Sequence, residues 1–325
     1  MSQLDGASVL ITGGTGSLGK SLVVYLLKET RVRRVAILSR DELKQQHLRN
    51  QFQDDPRLRW FLGDVRDLGR LKRAFHGVDF VIHAAALKQV DTGEYNPMEF
   101  IKTNVLGSQN VIDASIDAGV KRVVALSTDK ASSPINLDGA TKLTADKLFV
   151  AANNYSYTYG TTFAVVRYGN VMGSRGSVIP FFQEIASQGK PLPITDLRMT
   201  RFWISIESAV KFVIDSLDMM TGGELYVPRI PSMKIVDLAN AVAPGTKLEE
   251  IGMRPGEKLH EEMISADDSR RTIILENRFV VTPVVAEWGY ESPKGSRMPE
   301  GQAYRSDTND LWMSETDIKN FIENL

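Results

Sequence analysis

The chain has 325 residues, of which 42% are hydrophobic and 24% charged, with a formal net charge of -1. Such a composition suits one large α/β domain, or a nucleotide-binding domain with a smaller lobe, and gives no electrostatic footprint for nucleic acid or an anionic membrane. The absence of cysteine excludes disulfides, thiolate metal sites and thiol nucleophiles, and a reducing cytoplasm is expected.

The first apolar run is too short for a signal segment, and no run nears the roughly 18 residues of a membrane span. His47, His76, His83 and His260 are scattered without metal-ligand spacing, so each is read as structural.

Ser8 to Thr12 reads as a buried strand, and Gly13-Gly14-Thr15-Gly16-Ser17-Leu18-Gly19 opens a helix with apolar positions at Leu22, Val23, Leu26 and Leu27. Glycines at 13, 16 and 19 fit a dinucleotide turn, which needs a tight bend, close approach of a pyrophosphate and close helix packing. A second strand, Arg34 to Leu38, leads to Ser39 and Arg40. A cofactor without a 2′-phosphate usually meets an acid there, whereas Ser and Arg suit a 2′-phosphate, so NADP is expected over NAD. Lys44 stands one turn on; Asp41 and Glu42 either weaken that preference or begin the next helix.

A third strand, Leu58 to Leu62, ends near Asp64 and Val65, a carboxylate and an apolar residue placed to flank an adenine. A fourth, Val78 to Ile82, ends at His83-Ala84-Ala85-Ala86, small residues past which a cofactor can run, with Lys88 beyond. Thr103 and Asn104 sit in a helical pattern from Met98 to Ala118.

The fifth strand, Arg122 to Leu126, is followed by Ser127-Thr128-Asp129-Lys130. In open α/β sheets ligands bind at that end. Asp138 and Lys142, four apart where a helical pattern starts, share one face. Acid, ammonium and second ammonium suit proton transfer better than packing. The alternation of short apolar runs with helical patterns predicts a Rossmann-like, doubly wound parallel sheet over residues 1–168, with segments near 200–230 returning to it. Residues 169–325 are expected to form mainly a smaller, substrate-binding lobe. In that half the Tyr168 to Pro180 loop, after a strand from Phe163 to Arg167, is rich in glycine and polar groups. Arg201, Arg254 and Glu257 offer arginine forks for a pyrophosphate and a carboxylate for ribose hydroxyls, unless they form surface ion pairs.

Taken together, these residues resemble the extended short-chain dehydrogenase/reductase family and, within it, the inverting UDP-N-acetylglucosamine 4,6-dehydratases. The resemblance runs from Gly13 to about Asn309. Its specific parts are Ser39 to Gln45, His83 to Lys88, Glu94 to Pro97, Ser127 to Lys130, Arg167 to Pro180, Met199 to Ile204, Pro228 to Val236 and Arg254 to Glu262. It implies tightly held NADP, with Thr103, Lys142 and Val171 joining the cofactor residues above. The implied substrate is UDP-N-acetylglucosamine, bound by Lys88, Asn170, Val178, Thr195, Arg201, Arg254 and Glu257.

By the same resemblance the product is a 4-keto-6-deoxy sugar for pseudaminic acid and bacterial surface glycans, and the protein is a homo-oligomer. Lys130 corresponds to the family's base at C5, Asp129 to its acid at C6, and Lys142 to the lysine that binds the nicotinamide ribose. The tyrosine of the family's Tyr-x-x-x-Lys motif is replaced by Asp138 within Asn136-Leu137-Asp138-Gly139-Ala140-Thr141-Lys142.

Three readings follow from that replacement: an introduced substitution, a natural variant with another base, or a catalytically silent NADP and sugar-nucleotide binder. The longer, membrane-tethered retaining dehydratases also lack this tyrosine. A UDP-sugar epimerase shares the fold and first step, but needs neither an elimination acid nor a base at C5. A redox sensor that binds NADP alone has no use for Arg201, Arg254 and Glu257.

Overall fold

Short apolar runs flanked by turn residues become parallel strands when both faces of the sheet are covered. Here they are β1 (Ser8–Thr12), β2 (Arg34–Ser39), β3 (Leu58–Leu62), β4 (Phe80–His83), β5 (Arg122–Thr128) and β6 (Thr162–Tyr168). In the computed structural model, which describes residues 3–53, 55–173 and 178–323, they lie in the order β3-β2-β1-β4-β5-β6. Val9 stands opposite Val35 on one side and Phe80 on the other. The strand order reverses beside β1. The crevice between the C-terminal ends of β1 and β4 is therefore the topological switch point, where dinucleotides bind in such sheets.

The sheet continues beyond β6 with Leu225–Pro228, parallel, and then Arg278–Val281, Thr272–Ile274 and Ser296–Arg297, antiparallel, to make ten strands. It thus draws strands from 225–228 and, further along the chain, from 272–297.

A smaller lobe has its own core. A three-stranded sheet of Asn170–Val171, Thr200–Ile204 and Ser232–Lys234 packs residues such as Trp203 and Met233 against Phe182, Leu238 and Ile318. The Thr200–Ile204 strand separates the two cores because successive side chains point to opposite faces: Phe202 and Ile204 join the large core, Trp203 the small one. Two local features place the site. The segment 97–117 is helical, as its pattern predicts, but carries a π-turn over Ile101–Leu106, a distortion frequent at functional sites. The Leu137–Ser156 helix starts at Asn136, whose side chain accepts from the Gly139 N–H. Among the described residues, no helix is long and apolar enough to cross a membrane.

Candidate active site

At the switch point the chain leaves β1 through Gly13, whose φ of +67° favours glycine. A Cβ there would lie 2.8 Å from Ala85 Cα, so the turn and the end of β4 touch backbone to backbone. The following helix, Ser17–Glu29, begins after Gly16 with no side-chain cap, which leaves a helix N-terminus of the kind that takes a pyrophosphate. Thr103 Oγ1, on the π-turn, is buried with no hydrogen-bond partner among the described residues, an orphan that a bound group would satisfy. The cradle, the uncapped helix and the orphaned hydroxyl fit a dinucleotide.

At the ends of β2 and β3, Ser39 is buried and its hydroxyl accepts from Gln45 Nε2 at 3.0 Å. Arg40 is half exposed, with Nη1 3.5 Å from Asp64 Oδ2. Arg66 grips the same carboxylate oxygen through two nitrogens, at 2.7 and 3.0 Å. Val65 is buried. Lys44 pairs with Asp41 at 2.9 Å, and Asp41 caps the next helix through the Lys44 amide. Of the two roles open to Asp41, the structure shows the helix cap.

β5 runs two residues past its apolar core and turns at Asp129–Ala131, one turn of 3₁₀ helix. The Leu137–Ser156 helix then returns over this turn so closely that a Cβ on Gly139 would collide with the Lys130 carbonyl. The consequence is a tight ionic cluster. Asp129 is fully buried, and its Oδ1 accepts from Lys130 Nζ at 3.1 Å and from Thr128 Oγ1 at 2.9 Å. Lys130 Nζ also lies 3.7 Å from Glu261 Oε1, which is 3.6 Å from Arg201 Nε. Asp138 is buried beside them. Among the described residues, Asp129 Oδ2, Asp138 Oδ1 and Glu261 Oε2 have no hydrogen-bond partner. Three buried carboxylate oxygens without a donor are costly, a cost that hydrogen bonds from a bound molecule bearing O–H groups would offset.

Burial works against the Lys130 ammonium, but the carboxylates of Asp129 and Glu261 outweigh it and raise its pKa above the usual lysine value. Burial pushes the Asp138 carboxyl up from its ordinary range, and Lys130 and Lys142 offset this only in part. Burial lowers the pKa of Lys142, opposed by Asp146 and Asp138. Its Nζ donates to the Leu126 carbonyl on β5.

Hydrogen bonds lock this cluster to its surroundings. Asn104, on the π-turn, exchanges bonds of 2.9 Å with both backbone groups of Leu87 and donates to Thr141 Oγ1 at 3.1 Å. That ties the segment bearing Lys88 to the helix bearing Asp138. His83 bonds Thr12 Oγ1 at 2.7 Å, and burial, aided by Lys142, lowers its pKa to about 3. It is a neutral, structural histidine. Ser127 and Arg167 both donate to Asp146 Oδ2, at 2.8 and 3.0 Å.

The residues expected to meet substrate are more dispersed. Arg201 is buried and donates to the carbonyls of Thr200, Leu259 and Lys258, with Glu257 at 3.5 Å; its Nη donors brace the 257–261 segment. Lys88 is exposed and is one of the cations acting on Asp138. Asn170 and Val171 pair with Trp203 and Ile204. Residues 174–177 of the Tyr168 to Pro180 loop lie outside the described residues. Among the described residues, the side chains of Val178, Thr195 and Arg254 make no hydrogen bond or ion pair with the cluster, and Arg254 is exposed. Glu261 is the residue that the sequence reading does not single out. Its one signal is the Glu261-Glu262 pair in an extended segment, where alternation must send one carboxylate inward.

A Rossmann-like sheet with a glycine turn at its switch point and an ionic cluster beyond β5 is the arrangement of the extended short-chain dehydrogenases/reductases. Within that class the chain belongs to the polysaccharide biosynthesis protein family, which it matches over residues 9–283. A UDP-N-acetylglucosamine 4,6-dehydratase (inverting) from Campylobacter jejuni is 53% identical over 324 residues, 97% of each chain. A UDP-glucose 4-epimerase from Rickettsia canadensis is 42% identical, covering 80% of this chain and 78% of its own. The X-ray structure of Pen from Bacillus thuringiensis superposes with a TM-score of 0.89 at 37% identity, over 99% of both chains. DesIV, a dTDP-glucose 4,6-dehydratase from Streptomyces venezuelae with NAD and TYD bound, gives 0.70 at 27% identity, over 78% of this chain and 86% of its own.

Proposed function

We propose that this chain is a UDP-N-acetylglucosamine 4,6-dehydratase that inverts C5 and uses NADP. The observation that carries the proposal is the pairing of the buried Asp129 with the partly exposed Lys130, joined at 3.1 Å beside Asp138. A 4-epimerase requires neither an acid at C6 nor a base at C5, whereas elimination of water requires both. The Campylobacter relative supports the choice of sugar, and Arg40 the choice of NADP over NAD. Asn170, Val178, Thr195, Arg254 and Glu257, in the smaller lobe, are assigned to the UDP-sugar. A cytoplasmic homo-oligomer serving pseudaminic acid synthesis belongs to the same proposal.

A nicotinamide cofactor bound against the Gly13–Gly19 turn, Thr103 and Lys142 supplies hydride acceptance at C4 and hydride return at C6. The chain's own residues move the protons. Asp138 takes the C4 hydroxyl proton; it stands where the family has tyrosine, and burial makes its carboxylate a stronger base than an exposed aspartate. Once C4 is a ketone, Lys130 removes the acidified C5 hydrogen, the C5–H electron pair forms the C5–C6 double bond and Asp129 protonates the C6 hydroxyl, which leaves as water. With hydride returned to C6, a solvent-derived proton reaches C5 from the opposite face and inverts it. In the resting cluster the proton sits on Lys130. Moving it to Asp129 along their hydrogen bond gives the working pair.

NMR of the product from UDP-N-acetylglucosamine tests the proposal. A 6-methyl, 4-keto sugar is expected, while a C4 epimer with an intact hydroxymethyl group, or no reaction, would overturn it.

A further inference from the structure

Glu261 is held from its backbone: its N–H donates to Ser306 Oγ, and its carbonyl accepts from the Ser306 N–H, both at 2.9 Å. Glu262, next in the chain, faces the other way and accepts from the hydroxyls of Ser132 and Ser133 at 2.8 and 2.7 Å. Glu261 therefore points inward and is 2% exposed. Among the described residues it meets two cations but no hydrogen-bond donor, with Lys130 Nζ at 3.7 Å, Arg201 Nε at 3.6 Å and Oε2 unpartnered. Burying a carboxylate is expensive, and ion pairs of this length do little to offset it. Stability does not account for Glu261.

We propose that Glu261 is a positioning residue for the elimination step, holding the Lys130 amine between its own carboxylate and that of Asp129 so that Nζ is aimed at the C5 hydrogen. The inference rests on the dehydratase function proposed above. The two carboxylates differ in what they do. Asp129 loses its proton to the leaving hydroxyl as the C6–O bond breaks, while Lys130 gains the proton from C5 and the electron pair of that C–H bond forms the C5–C6 double bond. Glu261 exchanges nothing. Burial and Asp129 push its carboxyl up from the ordinary range and Lys130, Arg201 and Lys258 oppose them; in its ionised form it keeps Lys130 in place while the other partner changes charge.

The groups facing Glu261 and Lys130 are Asp129 on the turn, Asp138 on the Leu137–Ser156 helix, Arg201 on the Thr200–Ile204 strand, and Glu257 and Lys258 on the preceding segment. Of these, Asp129 and Glu261 are the anions that favour the Lys130 ammonium. Removing the Glu261 charge should therefore free the amine at lower pH and at the same time let it wander.

Reductive methylation of Lys130, read by peptide mass spectrometry across a pH series, reports the free amine without turnover. In Glu261→Gln the midpoint is expected to fall by at least about one pH unit, and Glu261→Asp should restore part of it. In the same Gln variant, water loss should slow by about tenfold or more while substrate binding and cofactor reduction change less than about threefold. An unmoved Lys130 midpoint, or equal losses in binding, oxidation and elimination, would overturn the role. If the unaltered protein forms no dehydrated product, the dehydratase function fails. The methylation midpoint still decides whether Glu261 governs Lys130.

Discussion

Asn136 joins the two lobes of the site to each other: its Oδ1 accepts from the Gly139 N–H at 2.8 Å, and its Nδ2 donates to the Gly256 carbonyl, also at 2.8 Å. One side chain caps the helix that carries Asp138 and anchors the loop between Arg254 and Glu257. Removing it in Asn136→Ala should cost about 1 kcal/mol, as loss of a helix cap does. The sugar nucleotide should then bind more weakly by a larger factor than the cofactor. Urea denaturation and two separate binding titrations check both parts, and equal weakening of both ligands would show that the Gly256 contact is incidental.

Asp138 couples activity to instability. Its carboxyl is raised above the ordinary value of 3.8 by burial. Below pH 3.8 it is neutral in both folded and unfolded chains; as the pH rises through the folded value, the unfolded chain has already lost its proton and stability is lost. Above the folded value the ionised Asp138 therefore destabilises the protein. Asp138→Asn should melt at higher temperature at pH 7 and show little difference at acid pH, while cofactor reduction by substrate slows by about 10² to 10⁴. A variant that is both less stable and fully active would contradict this.

His83 sets an acid limit of the opposite sign. Its pKa is lowered from 6.5 to about 3. Above pH 6.5 it is neutral in both states. As the pH falls from there towards about 3, the unfolded imidazole protonates first and stability drops by up to about 1.4 kcal/mol per pH unit. His83→Gln should be less stable than the parent at pH 7, having lost the bond to Thr12, yet show a flatter decline between pH 6 and pH 4. Urea midpoints at three pH values measure the two slopes.

Cofactor choice is proposed to rest on Arg40, at the end of β2, whose guanidinium is held toward Asp64, the carboxylate that Arg66 also grips. Arg40→Ala should weaken NADP by about tenfold or more and leave NAD within about twofold, because a charge-assisted bond to a 2′-phosphate is worth roughly 1.5–3 kcal/mol. Equal effects on both dinucleotides would place the 2′-phosphate elsewhere.

Local pattern is enough for much of this architecture. The limits of β1 at Ser8–Thr12 and of β3 at Leu58–Leu62 follow from apolar runs between turn residues, and the four-residue spacing of Asp138 and Lys142 follows from helix geometry. What pattern cannot reveal is burial and long-range pairing. The π-turn under Thr103 and Asn104 differs from an α-helix by one step of hydrogen-bond register. Glu261 reaches Lys130 from 131 residues along the chain, and Arg201 turns inward because the 257–261 segment offers it carbonyls. The raised pKa of Asp138 depends on the layers packed over it, where model chemistry for an exposed carboxylate gives a poor base.

The most direct test runs the reaction in D₂O with UDP-N-acetylglucosamine and follows the sugar nucleotide by mass spectrometry. A dehydratase with Lys130 at C5 and Asp129 at C6 should give a product that has lost one water and carries one solvent deuterium at C5, and Asp129→Asn should abolish both changes together. A product of unchanged mass with no deuterium, formed equally by Asp129→Asn, would contradict the elimination chemistry assigned to this pair.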